Sequence, residues 1–413
     1  MEKSQLPNIA VIGGGASGLV AAISAAKQHT ANVYIFERFE RVGKKLLATG
    51  NGRCNLENRI ITPNNYQTNS KNQLSKLLDC FSVDDNLSFF KDCGLLYREE
   101  DEGRIYPSCN QASAVLDILR TEAFYYGVKE VCQWEVVEII PQKQNKFLLK
   151  EKNGQSMFAD KIILACGGQA SPKLGGSEKG YELAKSLEHT ITAIYPCLTG
   201  LCCKGENLSS LKGVRAECGI RLWNGKSLLK EYYGEVQFND YGVSGYPIMQ
   251  VSAYLHQAKK NPTLQLDLIP QLSLKELETT LHQRRKKYKH QTLEQLLIGL
   301  LHKKLANYQL KSLFKNTSQT ISEIHPQDIT TLAYYLKNWT IPISGTPGWD
   351  NAQVCGGGVS LEEINPNTFE STICNGVYIT GELLDVVGDC GGFNLHWAFG
   401  SGIVAGKNAA LTI

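Results

Sequence analysis

The sequence has no apolar run approaching the roughly 20 residues that span a bilayer. Its opening, MEKSQLPNIAVIGGG, lacks the apolar stretch of a signal peptide and passes directly into strand-like residues. A strong net charge is absent as well. The 43 Lys and Arg nearly balance the 40 Asp and Glu, and a formal +3 gives no global argument for a nucleic-acid or membrane partner. There is no CxxC, so neither a zinc ribbon nor a dithiol motif is indicated. The 13 cysteines, an odd number, point to reduced thiols, with the adjacent Cys202 and Cys203 read as two ordinary ones. GxSxG, HExxH and the P-loop are missing, which leaves hydrolase, zinc-protease and NTPase readings without support. Internal repeats and low-complexity tracts are missing too, and no metal site is expected. What remains is an ordinary globular balance, 42% hydrophobic and 20% charged, over 413 residues. Two or three domains and a cytoplasmic location are the default expectations.

Residues 8–37 read as strand, glycine turn, helix and strand, the size of one βαβ unit. Residues 38–66 are rich in Gly, Asn, Arg and Lys without periodicity and read as a long functional loop. Residues 72–91 and 111–126 have helical apolar spacing. Strands are expected at 130–138, 146–151 and 160–165, with Asn153-Gly154 as a hairpin turn. From 193 to 270 short strand-like pieces alternate with Gly and Pro, as in a small barrel or sandwich. Residues 273–338 turn to amphipathic helix, and IPISGTPG punctuates its end. The expectation is an α/β protein with a Rossmann-like domain formed by both chain ends (1–192 and 343–413). It is interrupted by a β-rich, barrel-like insert (193–270) and a helical insert (271–342).

Gly13-x-Gly15-x-x-Gly18 follows a strand and opens a helix. Gly13 permits the tight turn, Gly15 lets a pyrophosphate approach the backbone, and Gly18 allows helix and strand to pack closely. Gly14, Ala16 and Ser17 complete this turn, and the helix N-terminus supplies unpaired N–H groups. Glu37 ends the second strand, placed to accept hydrogen bonds from a ribose diol and to repel a 2′-phosphate. A dinucleotide is therefore expected, unless the turn is only a tight strand–helix connection. Two further segments favour FAD over NAD. They are KKLLATGNGRCN (44–55) and GVYITGELLDVVGDCGGFNLHWAFGSGIVAG (376–406), in which a carboxylate ends a strand and a helix begins near Asn394. That helix N-terminus suits the edge of a flavin ring that becomes anionic on reduction.

With VIGGGASGL and ILACGG, these segments resemble the bacterial HI0933/YhiN-type flavoproteins, which include BaiN-like and aminoacetone oxidase-like proteins. The resemblance extends through GEVQFNDYGVSG and GGGVSLEEINPNTFES. It implies extended, non-covalent FAD. The Gly13–Gly18 turn, Glu37 and the neighbouring Arg38 would hold the ADP half, and Val136 would meet the adenine through its backbone. Ala165, Gly167 and Gly168 would pass the pyrophosphate. Lys45, Gly52, Arg53, Cys54 and Asn55 would reach the flavin from the glycine loop. Gly381 and Glu382 would hold the ribityl chain, and Gly392, Phe393 and Asn394 would approach the pyrimidine ring. The sequence departs from the family pattern at His396, where Gln is expected, at Cys355, where Thr is expected, and at Phe369-Glu370-Ser371, where MES is expected.

For chemistry, His396 is the candidate general acid or base, set against a hydrogen-bonded histidine in a helix first turn. Cys54 is a possible thiolate, set against a neutral packing thiol. Arg53 is a possible anchor for an acidic substrate or the pyrophosphate. Tyr241 and Tyr246 could cover a pocket roofed by the insert, or simply pack a turn. The run Arg284-Arg285-Lys286-Lys287, with Lys289 and His290, is read as a solvated helical face rather than a nucleic-acid patch. The favoured function is an FAD-dependent oxidoreductase of a small organic molecule with NAD(P)H or O2 as partner. The alternatives are a flavin-dependent tRNA-modifying or nucleic-acid-associated protein and a non-catalytic flavin-binding redox sensor. No second GxGxxG offers a dedicated NAD(P)H site; Gly175–Gly180 imitates one faintly.

Overall fold

The computed structural model describes residues 6–205 and 207–413, apart from the side chain of Asn145; the Met1–Gln5 part of the opening stretch lies outside the described residues. The chain forms two compact units, Met1–Pro196 with Gln353–Ile413, and Cys197–Ala352.

In the first unit the elements that matter for function are β1 (Asn8–Ile12), α1 (Ala16–Ala26), β2 (Asn32–Glu37), β3 (Glu57–Asn58), α2 (Lys71–Leu78), α3 (Val83–Asp92), α4 (Ala112–Tyr125), β4 (Lys129–Cys132), β5 (Lys161–Leu164), β6 (Val377–Ile379) and α5 (Phe393–Leu411). Five of the strands form one parallel sheet in the order β6-β5-β1-β2-β4. The runs NIAVI and KIIL are apolar almost throughout because a central parallel strand is covered on both faces. The sheet is of Rossmann type, and its outer strand β6 comes from the far end of the chain.

The segment expected as one helix over 72–91 is two. The first ends at Leu78, and Ser82 caps the second: its hydroxyl accepts from the Asp85 amide (3.1 Å), while Asp85 Oδ2 accepts from the Ser82 amide (2.7 Å). This reciprocal cap outweighs the continuous apolar spacing. The strand expected over 130–138 likewise divides into β4 and a strand at Val136–Pro141 that belongs to a separate three-stranded sheet. The expected loop 38–66 carries 3-10 turns and the short β3.

The second unit is a closed antiparallel barrel. Its strand order is Leu201–Cys203, Gly242–Ser244, Ser227–Phe238, Arg215–Asn224, Pro262–Asp267 and Trp339–Gly345, the last pairing back with the first. Helices at Leu274–Lys287, Lys303–Leu313 and Pro326–Lys337 lie between the fifth and last of these strands in sequence. The TIPIS stretch, read from sequence as punctuation, is that closing strand. Ile341 and Ile343 point inward in alternation with exposed neighbours, but Pro342, which normally argues against a strand, hides the pattern. Half of the basic run is structural: Arg284 donates to the carbonyls of Leu296 (3.0 Å) and Ile298 (2.7 Å), and Arg285 to that of Ile324 (2.9 Å). Among the described residues no helix is long and apolar enough to cross a membrane.

The first and last helices meet backbone to backbone. A Cβ added at Gly406 of α5 would lie 2.0 Å from the Ala21 carbonyl oxygen of α1, and one at Gly402 would lie 2.4 Å from that of Ser17. Alanine in a helix ordinarily gains about 1 kcal/mol over glycine. Gly406→Ala is therefore expected to reverse that sign and destabilise by about 1–3 kcal/mol through overpacking. Urea unfolding of the purified variant checks it, and a variant as stable as the parent would refute the contact.

Candidate functional site

The β1–α1 turn is built from four glycines with different reasons to be glycine. Gly13 has φ +106°, and a Cβ there would sit 2.5 Å from the Ala165 carbonyl oxygen. One at Gly14 would strike Val42, and one at Gly18 would meet the Gly13 carbonyl oxygen at 1.9 Å. Protein packing accounts for all three. Gly15 is the exception. Its φ of −83° is open to any residue, and its missing Cβ would touch no atom within 4 Å. Neither backbone nor packing requires glycine at 15; the open cradle lies where Gly15 caps the N-terminus of α1, whose first amides have no intrahelical partner.

Glu37 stands beside this turn. Its Oε2 accepts from the Gly14 amide and its Oε1 from the Phe39 amide, both at 3.0 Å. Arg38 donates to the Gly175 carbonyl (2.8 Å), so it ties the end of β2 to the loop after β5. Trp134 donates its amide to the Glu37 carbonyl (3.0 Å), which brings the segment leading to the buried Val136 alongside the end of β2. Ala165 donates to the Ile12 carbonyl (2.9 Å), placing the start of the Ala165–Gly168 loop next to the turn. Gly167, with φ +69°, also has open space where a Cβ would be.

The two signature segments are stitched together. Lys45 Nζ lies 2.7 Å from Glu382 Oε2, while Glu382 Oε1 accepts from the Cys355 amide (2.8 Å). Gly50, Asn51, Gly52 and Cys54 all have positive φ, so the GNGRC loop is wound left-handed, which is why glycine and asparagine occupy it. Asn55, with its amide oriented to satisfy both ends, donates to the carbonyls of Glu57 (3.1 Å) and Ile105 (3.2 Å) and accepts from the Gly392 amide (3.1 Å). Gly392 caps α5 with φ +103°. Ser401 Oγ accepts from the Gly381 amide (3.0 Å). Asn394 does not extend its side chain beyond the loop before the helix: its amide group bonds both to the N–H and to the C=O of Gly388, each at 2.8 Å. Phe393 packs edge-on against Tyr66. What α5 offers outward is its backbone N-terminus.

Each residue named for chemistry has a structural task. Arg53 binds Glu100 (2.5 Å) and Asn110, and lies over the Tyr106 ring. Burial pushes the Cys54 thiol up to about 12, against a smaller opposing hydrogen bond from Thr49, so it stays protonated. His396 is 1% exposed and its Nδ1 lies 2.7 Å from Oε2 of Glu57, which is fully buried. Asn86 of α3 donates to Glu57 Oε1 (2.7 Å) and to the His396 carbonyl (3.1 Å). Burial drives the Glu57 carboxyl upward, with His396 and Asn86 opposing. Neither Glu57 nor Asn86 stood out in the sequence. The available signal was Asn86 itself, a polar residue on the buried face of an amphipathic helix. Among the described residues all 13 cysteines are free thiols, and no group of three His, Cys, Asp or Glu side chains could hold a metal ion.

Comparison with known proteins agrees with this architecture. Residues 7–408 match the family described as HI0933-like protein Rossmann domain. The chain is 37% identical over 412 residues to a 3-dehydro-bile acid delta(4,6)-reductase of Clostridium scindens, covering 97% of this chain and 98% of that one. It is 28% identical to a ribosomal RNA dihydrouridine synthase of Haemophilus influenzae, covering 96% and 97%. The open conformation of a flavocytochrome c3 fumarate reductase superposes with a TM-score of 0.50 at 16% identity, over 99% of this chain and 79% of that one, a likeness of fold alone.

A thiol with a pKa near 12 is ionised in about one molecule in ten thousand at pH 8. Iodoacetamide at that pH is expected to label the exposed Cys109 and to spare Cys54 until the protein is unfolded. Peptide mass mapping reads this directly; rapid labelling of Cys54 in the native protein would restore it as a nucleophile.

Proposed function

The chain belongs to the HI0933-like family of flavoprotein oxidoreductases, and we propose that it binds FAD and reduces a carbon–carbon double bond conjugated to a carbonyl in a small organic molecule, with NADH or NADPH as donor. The observation that carries the cofactor reading is Gly15, the one glycine of its turn that the protein itself does not require. A diphosphate against that backbone accounts for it. Glu37, held by two amides, keeps further lone pairs for a ribose diol and disfavours an added phosphate there. Glu382 and Lys45 provide a polar pair suited to a ribityl chain. The backbone N–H groups at the start of α5 suit the ring edge that gains negative charge. Bound flavin supplies the hydride chemistry.

The substrate class is supported by what two relatives are named for. A delta(4,6)-reductase of a 3-dehydro bile acid and a dihydrouridine synthase both saturate a C=C bond next to a carbonyl. The small-molecule form is favoured over RNA because the identity to the first is higher and Arg284 and Arg285 are already committed to backbone carbonyls. The redox-sensor alternative is disfavoured because burial raises the thiols of Cys54, Cys93, Cys166, Cys218, Cys355 and Cys390 to about 12.

Gly15→Ala is the direct test. Its unfolding free energy is expected within about 1 kcal/mol of the parent, since the new methyl group meets only open space. Its FAD affinity is expected to fall at least tenfold (about 1.4 kcal/mol). In the parent, anaerobic NADH or NADPH should bleach the flavin, and an α,β-unsaturated ketone should restore its colour. Unaltered FAD binding in the alanine variant would sink the cofactor assignment. Reoxidation by ribosomal RNA and by no enone would move the substrate to nucleic acid.

A further inference from the structure

The Glu57–Asn86–His396 cluster is a buried ionisable group of the first unit with no part in the chemistry above. His396 lies in the first turn of α5, and Glu57 reaches it from β3, 339 positions earlier. The contact continues through the backbone: a Cβ at Gly392 would lie 2.4 Å from the Glu57 carbonyl oxygen. The imidazole also packs on the Phe81 ring (5.1 Å between centroids). Glutamate and histidine lie 2.7 Å apart, both out of solvent, so a lone carboxylate or a lone imidazolium there would each leave one buried charge uncompensated.

The other ionisable groups at this end of α5 are few. Tyr66 faces Glu57, and Cys390 lies in the loop ahead of the helix; burial pushes both upward and keeps them neutral. Asp389, in the same loop, and Arg104, on the strand paired with β3, carry opposite fixed charges. The pair is therefore what remains to respond when charge changes at the helix N-terminus. Asn86 Oδ1 is buried without a partner, an acceptor ready for a group that gains a proton.

Building on the FAD reading above, we propose that Glu57 and His396 are positioning residues that fix the start of α5 and take up a second proton when the flavin edge facing that start becomes negative. In balance, a hydride from the donor (two electrons and one proton) would leave the bound flavin ring with one negative charge, and one further proton from solvent would move onto the pair. The pair passes from one shared proton, net neutral, to a protonated carboxyl beside an imidazolium, net +1. Low local dielectric makes this compensation effective over the single helical turn that separates His396 from the helix start.

The test is the midpoint potential of the FAD-loaded protein against pH, in the parent and in the Glu57→Gln/His396→Gln double variant. One extra proton per two electrons makes the equilibrium tenfold more pH-dependent per unit, about 30 mV. The parent is expected to show that additional slope and the double variant to lose it while retaining flavin. A flavin-loaded double variant with the parental slope overturns the pair's role alone. A parent chain that takes up no flavin overturns the pair's role together with the FAD reading. Should the double variant not fold, reduced-minus-oxidised infrared spectra of the parent decide: a new protonated-carboxyl or imidazolium band supports the proposal, and its absence overturns it.

Discussion

The first unit depends on how closely its first and last helices approach. α1 carries ASGLVAAISAA and α5 answers with Gly402 and Gly406, so that the two backbones touch where side chains would normally separate them. Small residues at such a crossing allow tight van der Waals packing at the expense of the backbone entropy that glycine loses on folding. The reward is positional. With α5 held against α1, Gly381, Glu382 and the start of α5 come to the same edge of the sheet as the Gly13–Gly18 turn. Residues more than 350 positions apart then present their amides and carboxylates together.

The residues that look reactive in the sequence illustrate how burial redirects chemistry. Arg53 is neutralised by Glu100, Cys54 is kept as a thiol, and His396 is locked onto Glu57. Each sits in a segment specific enough to mark the family, and each is engaged or buried within the protein. A conspicuous side chain inside a signature is thus as apt to brace the backbone that binds a ligand as to touch the ligand.

Local rules carried much of the reading. β1, the glycine turn, α1 and β2 are contiguous, so the βαβ unit and the placement of Glu37 were legible from residues 8–37 alone. The glycine loop was legible as a loop, and the start of α5 lies within one residue of its expected place. Three features were not. The break at Ser82 depends on a cap that apolar spacing overrides on paper. The closing barrel strand is masked by Pro342. The Glu57–His396 and Lys45–Glu382 pairs join positions over 330 residues apart, and nothing in the linear spacing of charges announces such partners. The return of the C-terminal segment was expected from its own change back to strands and glycines, ahead of any family resemblance.

Strand order also has a consequence for synthesis. β5 receives its outer neighbour β6 only after the whole of residues 165–376 has emerged from the ribosome. Until then a buried-type strand, KIIL, stands at a raw sheet edge with unpaired backbone groups, the kind of surface that recruits other chains. The barrel unit, by contrast, is complete in sequence before the first unit is. Vectorial synthesis therefore completes the inserted unit first, and a chain halted before Val377 keeps that sheet edge open.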